Sequence, residues 1–390
     1  MKIECLKISG IGGIRELSLT FNPGFNAICG PNGIGKSTIL TIIANAFASN
    51  SAMIKRNAAY EVGKYSIQFT NLGGVLQEKN QIVTEFAPQK AEHNYNACDE
   101  TSYIMYFKEN RIIDYSNLNS IPRDVDSNKY TISLGLETGI SVMDLKGWFD
   151  NRCLFGALGN SLTVEQTANL ELAKRSFSIL DPSIVFKTVE SSSLDIILSS
   201  RNGDIYFEYL SSGYKSCIYL ILGLFKEIEF RFGKGCMKAQ EFDGVVLIDE
   251  IDVHLHPTWQ ARLVEALKDI FPKAQFITTT HSPSVLQTLE KAEIIPLTQD
   301  DIGNVFVKEL NLTEYGLQGW SIEEILRDVM EMPETTSKLY EETKRAFEKA
   351  IIIEDIKTAR SCYELLKKML HPDSVVGKVL DIQVAGLGEE

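Results

Sequence analysis

The run Gly30-Pro31-Asn32-Gly33-Ile34-Gly35-Lys36-Ser37 has the form G-x-x-x-x-G-K-[ST]. Glycines at these positions let consecutive backbone N–H groups wrap phosphate oxygens, a lysine reaches the outer phosphates, and the serine hydroxyl is a ligand for Mg2+. The pattern predicts an ATP site contacted by Asn32, Gly33, Gly35, Lys36, Ser37 and Thr38. A second pattern belongs with it. Val245-Val246-Leu247-Ile248 is an apolar strand ending in Asp249-Glu250, which sets Asp249 beside the metal and leaves Glu250 to orient or deprotonate the attacking water. Acids commonly end core strands, so this run takes its meaning from the phosphate loop.

Three further pieces lie in order around that strand. Leu210-Ser211-Ser212-Gly213-Tyr214 precedes an amphipathic helix, where a small-residue N-terminus offers free N–H groups and the Ser211 hydroxyl to a γ-phosphate. An ordinary helix cap is the plain alternative. His281 follows the run Phe276-Ile277-Thr278-Thr279-Thr280, 32 positions beyond Asp249. A lone histidine there is ordinarily a capped or solvated loop residue, but Ser282-Pro283 beside it and the order of the motifs favour a catalytic donor. His254 and His256 stand two apart with no third ligand near them in sequence, which weighs against a metal pair.

The elements that must position these residues are legible at both ends of the chain. Residues 2–9 and 14–21 alternate with period two, and Phe25–Cys29 is a short apolar strand running into the glycines. After Lys36 the apolar positions Ile39, Ile42, Ile43, Ala46 and Phe47 recur at helical spacing, so the loop joins a strand to a helix. Between 51 and 200 the expected pieces are strands at 65–69, 81–86 and 102–107 and a helix at 164–179. A helix at 214–230 and parallel-type strands at 245–248 and 275–279 follow. Beyond Asn311 the pattern turns helical, with a capping-box order from Ser321 and a break near 351–355.

Composition sets the class. The chain has 390 residues, 44% hydrophobic and 23% charged, enough for one large core or two ordinary ones, which excludes disorder and collagen. Its net charge of −13 opposes long-range steering to nucleic acid, so any such contact must be local, with Lys55, Arg56, Lys174 and Arg175 as candidates. Seven dispersed cysteines without a C-x-x-C pair read as reduced thiols in a cytoplasmic protein. No leader pattern is read at the N-terminus, and the longest apolar run, 217–225, is far short of a membrane span.

Taken in order, these residues resemble the ABC-type ATPases of the RecF, SMC and OLD branch over about residues 1–50 and 205–300. In that resemblance residues 210–214 stand for the LSGGQ signature, with Ser212 replacing its first glycine and Tyr214 its glutamine. His281 stands for the histidine that hydrogen-bonds the γ-phosphate, and residues 251–257 for the loop that crosses a dimer interface. RecF and SMC proteins usually carry Asp where this chain has His256. The run Leu247 to Pro257, followed by Thr278-Thr279-Thr280-His281-Ser282-Pro283, looks most like OLD-family and PtuA-type ATPases of Septu and retron antiphage systems.

The resemblance implies an α/β fold, a P-loop NTPase with an ABC-ATPase head, an α+β insert and a helical C-terminal appendage. Its segments are expected at 1–50, 51–200, 201–310 and 311–390. It implies a homodimer with two ATP molecules sandwiched, each bound at Lys36 of one chain and met by Ser211 and Gly213 of the other. Gln68 and Gln77 are candidates for the glutamine that couples the lobes. OLD nucleases continue into a Toprim domain with a strand-borne Glu and an Asp-x-Asp pair, which roughly the last 80 residues do not show. PtuA-type ATPases act beside a separate HNH nuclease. The leading function is therefore a cytoplasmic ATPase that senses or clamps DNA or RNA and controls an effector. A RecF-like repair clamp is the alternative; a transporter subunit and an ATP-locked scaffold are weaker ones.

Overall fold

The computed structural model describes residues 1–48, 54–89, 98–109, 118, 120–121, 123–124, 126–141, 144–159, 161–233, 236–332 and 335–386. The chain opens with strands β1 (Lys2–Ile11), β2 (Ile14–Thr20) and β3 (Phe25–Cys29), then helix α1 (Lys36–Asn45). Strands β4 (Gly63–Thr70), β5 (Leu76–Val83) and β6 (Ile104–Phe107) follow, then helices α2 (Lys129–Thr138), α3 (Leu145–Ala157) and α4 (Val164–Leu180). A three-strand meander, β7 (Val185–Val189), β8 (Ile196–Ser200) and β9 (Gly203–Tyr206), leads into α5 (Ser212–Phe232). Next come β10 (Val245–Ile248), α6 (Pro257–Ile270), β11 (Gln275–Thr279), the short α7 (Pro283–Leu286), β12 (Ile294–Gln299), β13 (Val305–Val307) and α8 (Ile322–Asp328).

Two sheets share one core. β2-β1-β4-β5 is antiparallel, while the six-stranded sheet runs β13-β12-β3-β11-β10-β6, parallel except for the edge strand β13. Strands β3, β10 and β11 are buried along their whole length, as expected of parallel strands covered on both faces. Helix α1 buries Ile39, Leu40, Ile42 and Ile43 against Ile3, Leu6, Ile67 and Phe69 of the antiparallel sheet and Val245, Leu247 and Ile277 of the parallel one. Each such side chain contributes roughly 1.5–3 kcal/mol, and together they fix the helix whose first turn carries the phosphate loop. The boundary expected at 50–51 falls outside the described residues. The segment after it supplies β4 and β5 to one sheet and β6 to the other.

Two sequence expectations shift their bounds. The strand expected at 81–86 is Leu76–Val83, an exposed edge strand in which no inward alternation marks the start. The strand expected at 102–107 begins at Ile104, because Asp99–Tyr103 forms a 3-10 turn. Helices α2 and α3 and the meander β7-β8-β9 have no counterpart in the sequence reading. They cohere through rings: Phe149, Phe177 and Phe186 pack edge-on or tilted, and Phe207 meets Phe177 edge-on at 6.2 Å.

The chain divides into two compact units, Met1–Ile325 and Leu326–Glu390. The second unit contains α9 (Lys338–Ile352), α10 (Ile356–Met369) and α11 (Val375–Ala385) around Phe347, Ala350, Ala359, Leu366 and Leu380. The break expected near 351–355 is a turn through Glu354 at φ 58°, after which Asp355 caps α10 by accepting from Thr358 N at 3.1 Å. Among the described residues no helix is long and apolar enough to cross a membrane.

Candidate functional site

The carboxyl ends of β3, β11 and β10, three adjacent parallel strands, open side by side, which is where open α/β sheets place their ligand crevice. After β3 the chain turns through Gly30 at φ 133°, where a Cβ would stand 2.3 Å from the Leu297 carbonyl oxygen, so only glycine fits. Gly35 at φ 101° forms the N-cap of α1 and leaves the helix N–H groups facing the loop. The Lys36 ammonium donates to the carbonyls of Gly30 at 2.9 Å and Pro31 at 2.8 Å, closing the loop around itself. Burial pushes Lys36 down to about 8, opposed by Cys29, Glu250, Asp249 and Asp252 in turn. The neighbouring Cys29 thiol is pushed up to about 12 by its own burial. Asn32 and Gly33 are exposed at the loop tip, and Thr38 is half-buried.

Ser37 Oγ donates to Asp249 Oδ1 at 3.0 Å, and Thr279 Oγ1 donates to the same oxygen at 2.6 Å. A hydroxyl beside a carboxylate is a pair of hard oxygen donors of the kind Mg2+ takes alongside substrate phosphates, so these residues fit that ion. Glu250 follows with φ 47°, a left-handed conformation that costs a non-glycine residue about 1–2 kcal/mol. Its N–H donates to Thr279 Oγ1 at 2.7 Å, and Ile251 N–H donates to the Thr279 carbonyl at 3.0 Å. Burial, then the carboxylates of Glu109, Asp249 and Asp252, hold Glu250 above its ordinary range, with Lys36 opposing.

His281 is half-buried after β11, with its N–H donating to Asp252 Oδ1 at 3.2 Å. Burial first and the Lys36 charge second hold its imidazole below the usual value against Asp252 and Asp249. Thr280 Oγ1 donates to the same Asp252 oxygen at 2.6 Å. The next residue, Ser282, donates to Gln260 Oε1 at 2.6 Å, and Gln260 in turn donates to the carbonyls of Asp252 and Leu255. The strand-end acids, the histidine turn and the loop before α6 are thereby one hydrogen-bonded unit.

The structure gathers Lys36, Ser37, Asp249, Glu250 and His281, while Ser211 contacts Tyr214 and Gly213 faces Trp259 and the His254–His256 loop. Ser211 caps α5 by accepting from Tyr214 N at 3.3 Å. A Cβ on Gly213 would lie 3.2 Å from Trp259 Cδ1 and 3.6 Å from both His254 O and His256 N, so the signature turn abuts the His254–His256 loop of its own chain. Tyr214, the departure from the signature pattern, is buried, donates to the Phe177 carbonyl at 2.8 Å and meets Trp259 edge-on. His254 adopts φ 61°, and His256 caps α6 through Nδ1, which accepts from Thr258 N. Among the described residues no three His, Cys, Asp or Glu side chains gather to hold a metal ion. Gln68 and Gln77 lie on β4 and β5, with the Gln68 amide 3.5 Å from Glu78. Sequence reasoning missed Thr279, Asp252 and Glu109; the threonine run signalled a strand and a family resemblance, with no role for the Thr279 hydroxyl.

An AAA domain family, described as a putative AbiEii toxin of a type IV TA system, matches residues 76–287, and a second AAA domain family matches residues 5–142. The chain is 43% identical over 390 residues to the Septu protein PtuA of Bacillus thuringiensis, across 99% of this chain and 98% of that one. It is 27% identical to the Septu protein PtuA of Bacillus mycoides (strain KBAB4) over 79% of this chain and 42% of that one. It is 30% identical to the Retron Ec83 probable ATPase of Escherichia coli over 47% of this chain and 33% of that one. Among solved structures, the SMC head domain from Thermotoga maritima aligns with TM-score 0.46 and 18% identity, over 80% of this chain and 100% of that one. With the phosphate loop, the strand-end acids and near-complete coverage of a close relative in hand, the chain belongs to the PtuA family of Septu ATPases.

Proposed function

We propose that this chain is the ATP-hydrolysing regulator of an antiphage defence complex, that it dimerises on ATP, and that it senses or clamps nucleic acid to control a partner effector such as an HNH nuclease. The observation that carries the reading is the chain of contacts from Ser37 through Asp249 and Thr279 to Glu250, which joins phosphate grip and water activation in one rigid unit. In this reading the N–H groups of Gly33, Gly35, Lys36, Ser37 and Thr38 and the contact of Asn32 seat the phosphates, and the Lys36 ammonium neutralises the outer ones. Ser37 and Asp249 hold Mg2+, which when bound offsets charge on the phosphate oxygens. Glu250 accepts the proton of the attacking water, and a carboxylate raised above its ordinary range is better matched to that task near neutral pH. His281 donates a hydrogen bond to the γ-phosphate.

Ser211 and Gly213 of the partner subunit complete the site in this reading, since within one chain Gly213 abuts the His254–His256 loop and Ser211 caps its own helix. Hydrolysis at one site therefore loosens the dimer that the γ-phosphate holds together. The relatives' names, a Septu protein and a retron ATPase, support defence over repair. The test is light scattering of Glu250→Gln with saturating ATP and Mg2+, then affinity capture from the native host. A stable dimer carrying a stoichiometric nuclease is expected. A monomer overturns the sandwich, and recombination proteins in place of a nuclease overturn the defence reading.

A further inference from the structure

We infer that Thr279 is the positioning residue of this site: one side chain sets both the Mg2+-side carboxylate of Asp249 and the backbone of Glu250. Thr279 ends β11 and is 1% exposed. Its hydroxyl has one proton and two lone pairs. The proton goes to Asp249 Oδ1 at 2.6 Å, and one lone pair takes the Glu250 N–H at 2.7 Å. Its carbonyl takes the N–H of Ile251 at 3.0 Å. Both N–H groups flanking the Glu250 Cα are thus bound by a single residue of the neighbouring strand. The ladder of β10 and β11 ends in register at Ile248 and Thr278, so Asp249 and Glu250 have left the regular sheet where these bonds are made.

The need for such a clamp follows from the Glu250 backbone. At φ 47° a glutamate holds an unfavourable conformation only where its surroundings determine it, and the two N–H bonds to Thr279 supply that determination. Without the hydroxyl, the Glu250 N–H loses its acceptor and Asp249 Oδ1 keeps only the Ser37 donor among these bonds. Valine at 279 keeps the branched shape and strand propensity and removes only the hydroxyl, whereas serine keeps the hydroxyl.

This inference rests on the proposed roles of Asp249 and Glu250 in hydrolysis. The experiment compares steady-state ATP hydrolysis by the full chain as wild type, Thr279→Val, Thr279→Ser and Glu250→Gln, with nucleotide affinity measured by calorimetry. Thr279→Val is expected to lower kcat by about 10- to 100-fold, as removal of an outer partner of a metal-site carboxylate typically does. Its KM and its affinity for ATP stay within about twofold, because the Lys36 loop is untouched, and Thr279→Ser restores most of kcat. If Thr279→Val does not fold, Thr279→Ala against Thr279→Ser makes the same comparison. Wild-type kcat in the hydroxyl-free variant, or no recovery in Thr279→Ser, overturns the inference. Wild-type hydrolysis by Glu250→Gln overturns the underlying reading; an inactive Glu250→Gln beside a fully active Thr279→Val overturns this inference alone.

Discussion

Ser37 Oγ and Asp249 Oδ1 lie 3.0 Å apart across 212 positions of sequence. The contact joins the first turn of α1 to the end of β10, so two motifs that signal separately in the sequence meet as one pair of oxygen donors. Ser37→Ala removes one donor and leaves the Thr279 bond to Asp249 in place. The Mg2+ concentration for half-maximal hydrolysis is expected to rise about 10- to 100-fold. Thermal stability should move little, since one part-buried hydroxyl hydrogen bond is worth a net of only about 1 kcal/mol. A magnesium titration beside a melting curve checks both, and an unchanged Mg2+ requirement counts against the pair.

Lys36 makes a prediction with a definite sign. Its ammonium is pushed down to about 8, and the protonated form is the one that attracts phosphate. Nucleotide affinity of the free protein should therefore be flat below that value and fall about tenfold per pH unit above it. Calorimetric titrations from pH 6.5 to 9.5 check this, and a flat profile assigns the affinity elsewhere. Lys36→Ala should abolish measurable binding at every pH.

The positions of these residues were legible to different degrees, for physical reasons. The bounds of β10 and β11 agree with the structure residue for residue, because strands buried on both faces are uniformly apolar or β-branched. The loop at Gly30 is equally plain, since backbone conformations that only glycine adopts leave a compositional mark. The three carboxylates around Glu250 are another matter. Glu109 comes from the end of β6, 141 positions upstream, and nothing in a run of Phe-Lys-Glu marks a strand end that will abut β10. The role of Thr279 was hidden because threonine is favoured in strands whether or not its hydroxyl is used. Within 126–210 the helix expected at 164–179 is α4, but α2, α3 and the meander were hard to read because the core they share is a cluster of separated phenylalanines, not a periodic face.

Glu250 should give hydrolysis an acid limb displaced from the ordinary carboxylate position. Its folded value lies above 4.5, and only the ionised form accepts a proton. As pH falls, kcat should therefore decline at a higher pH than an unperturbed glutamate would produce. Stopped-flow phosphate release after pH jumps across pH 3.5 to 8 measures it. A limb at or below 4.5 would remove Glu250 as the base.

Gly213 faces Trp259 Cδ1 at 3.2 Å from where a Cβ would stand. Gly213→Val must push the indole off Tyr214, whose ring it meets at 5.1 Å, and so tilts the start of α5. ATP binding by the single chain is expected to stay within about twofold, because Lys36 and its loop are untouched. ATP-dependent dimerisation of a Glu250→Gln background is expected to weaken by tenfold or more, roughly 1.4 kcal/mol. Equal dimer affinity with and without the substitution, read by sedimentation, would exclude this turn from the interface.

Asp150 yields a stability prediction that is independent of nucleotide. It sits on α3, 1% exposed, with no hydrogen-bond partner for either carboxylate oxygen. Nearby, Lys146 is engaged by Asp195 at 2.5 Å and by Glu208 at 3.0 Å. Two carboxylates already share that ammonium. Burial therefore raises Asp150 from 3.8 to about 7, with Lys146 opposing and Glu208 and Asp195 reinforcing. Protonated Asp150 is favoured in the folded state, so the folded chain retains a proton that the unfolded chain has released between about pH 4 and pH 7. Stability is whole below that window, declines as pH rises through it, and stays lowered above it. Asp150→Asn keeps the shape and cannot ionise, so its stability relative to wild type should improve by about 2 kcal/mol or more between pH 4.5 and pH 8, against an upper bound of about 4 kcal/mol. The difference between the two pH values is the readout, because any cost of the amide itself is present at both. Urea unfolding at each pH measures it, and a difference that does not change with pH means that Asp150 ionises freely in the fold.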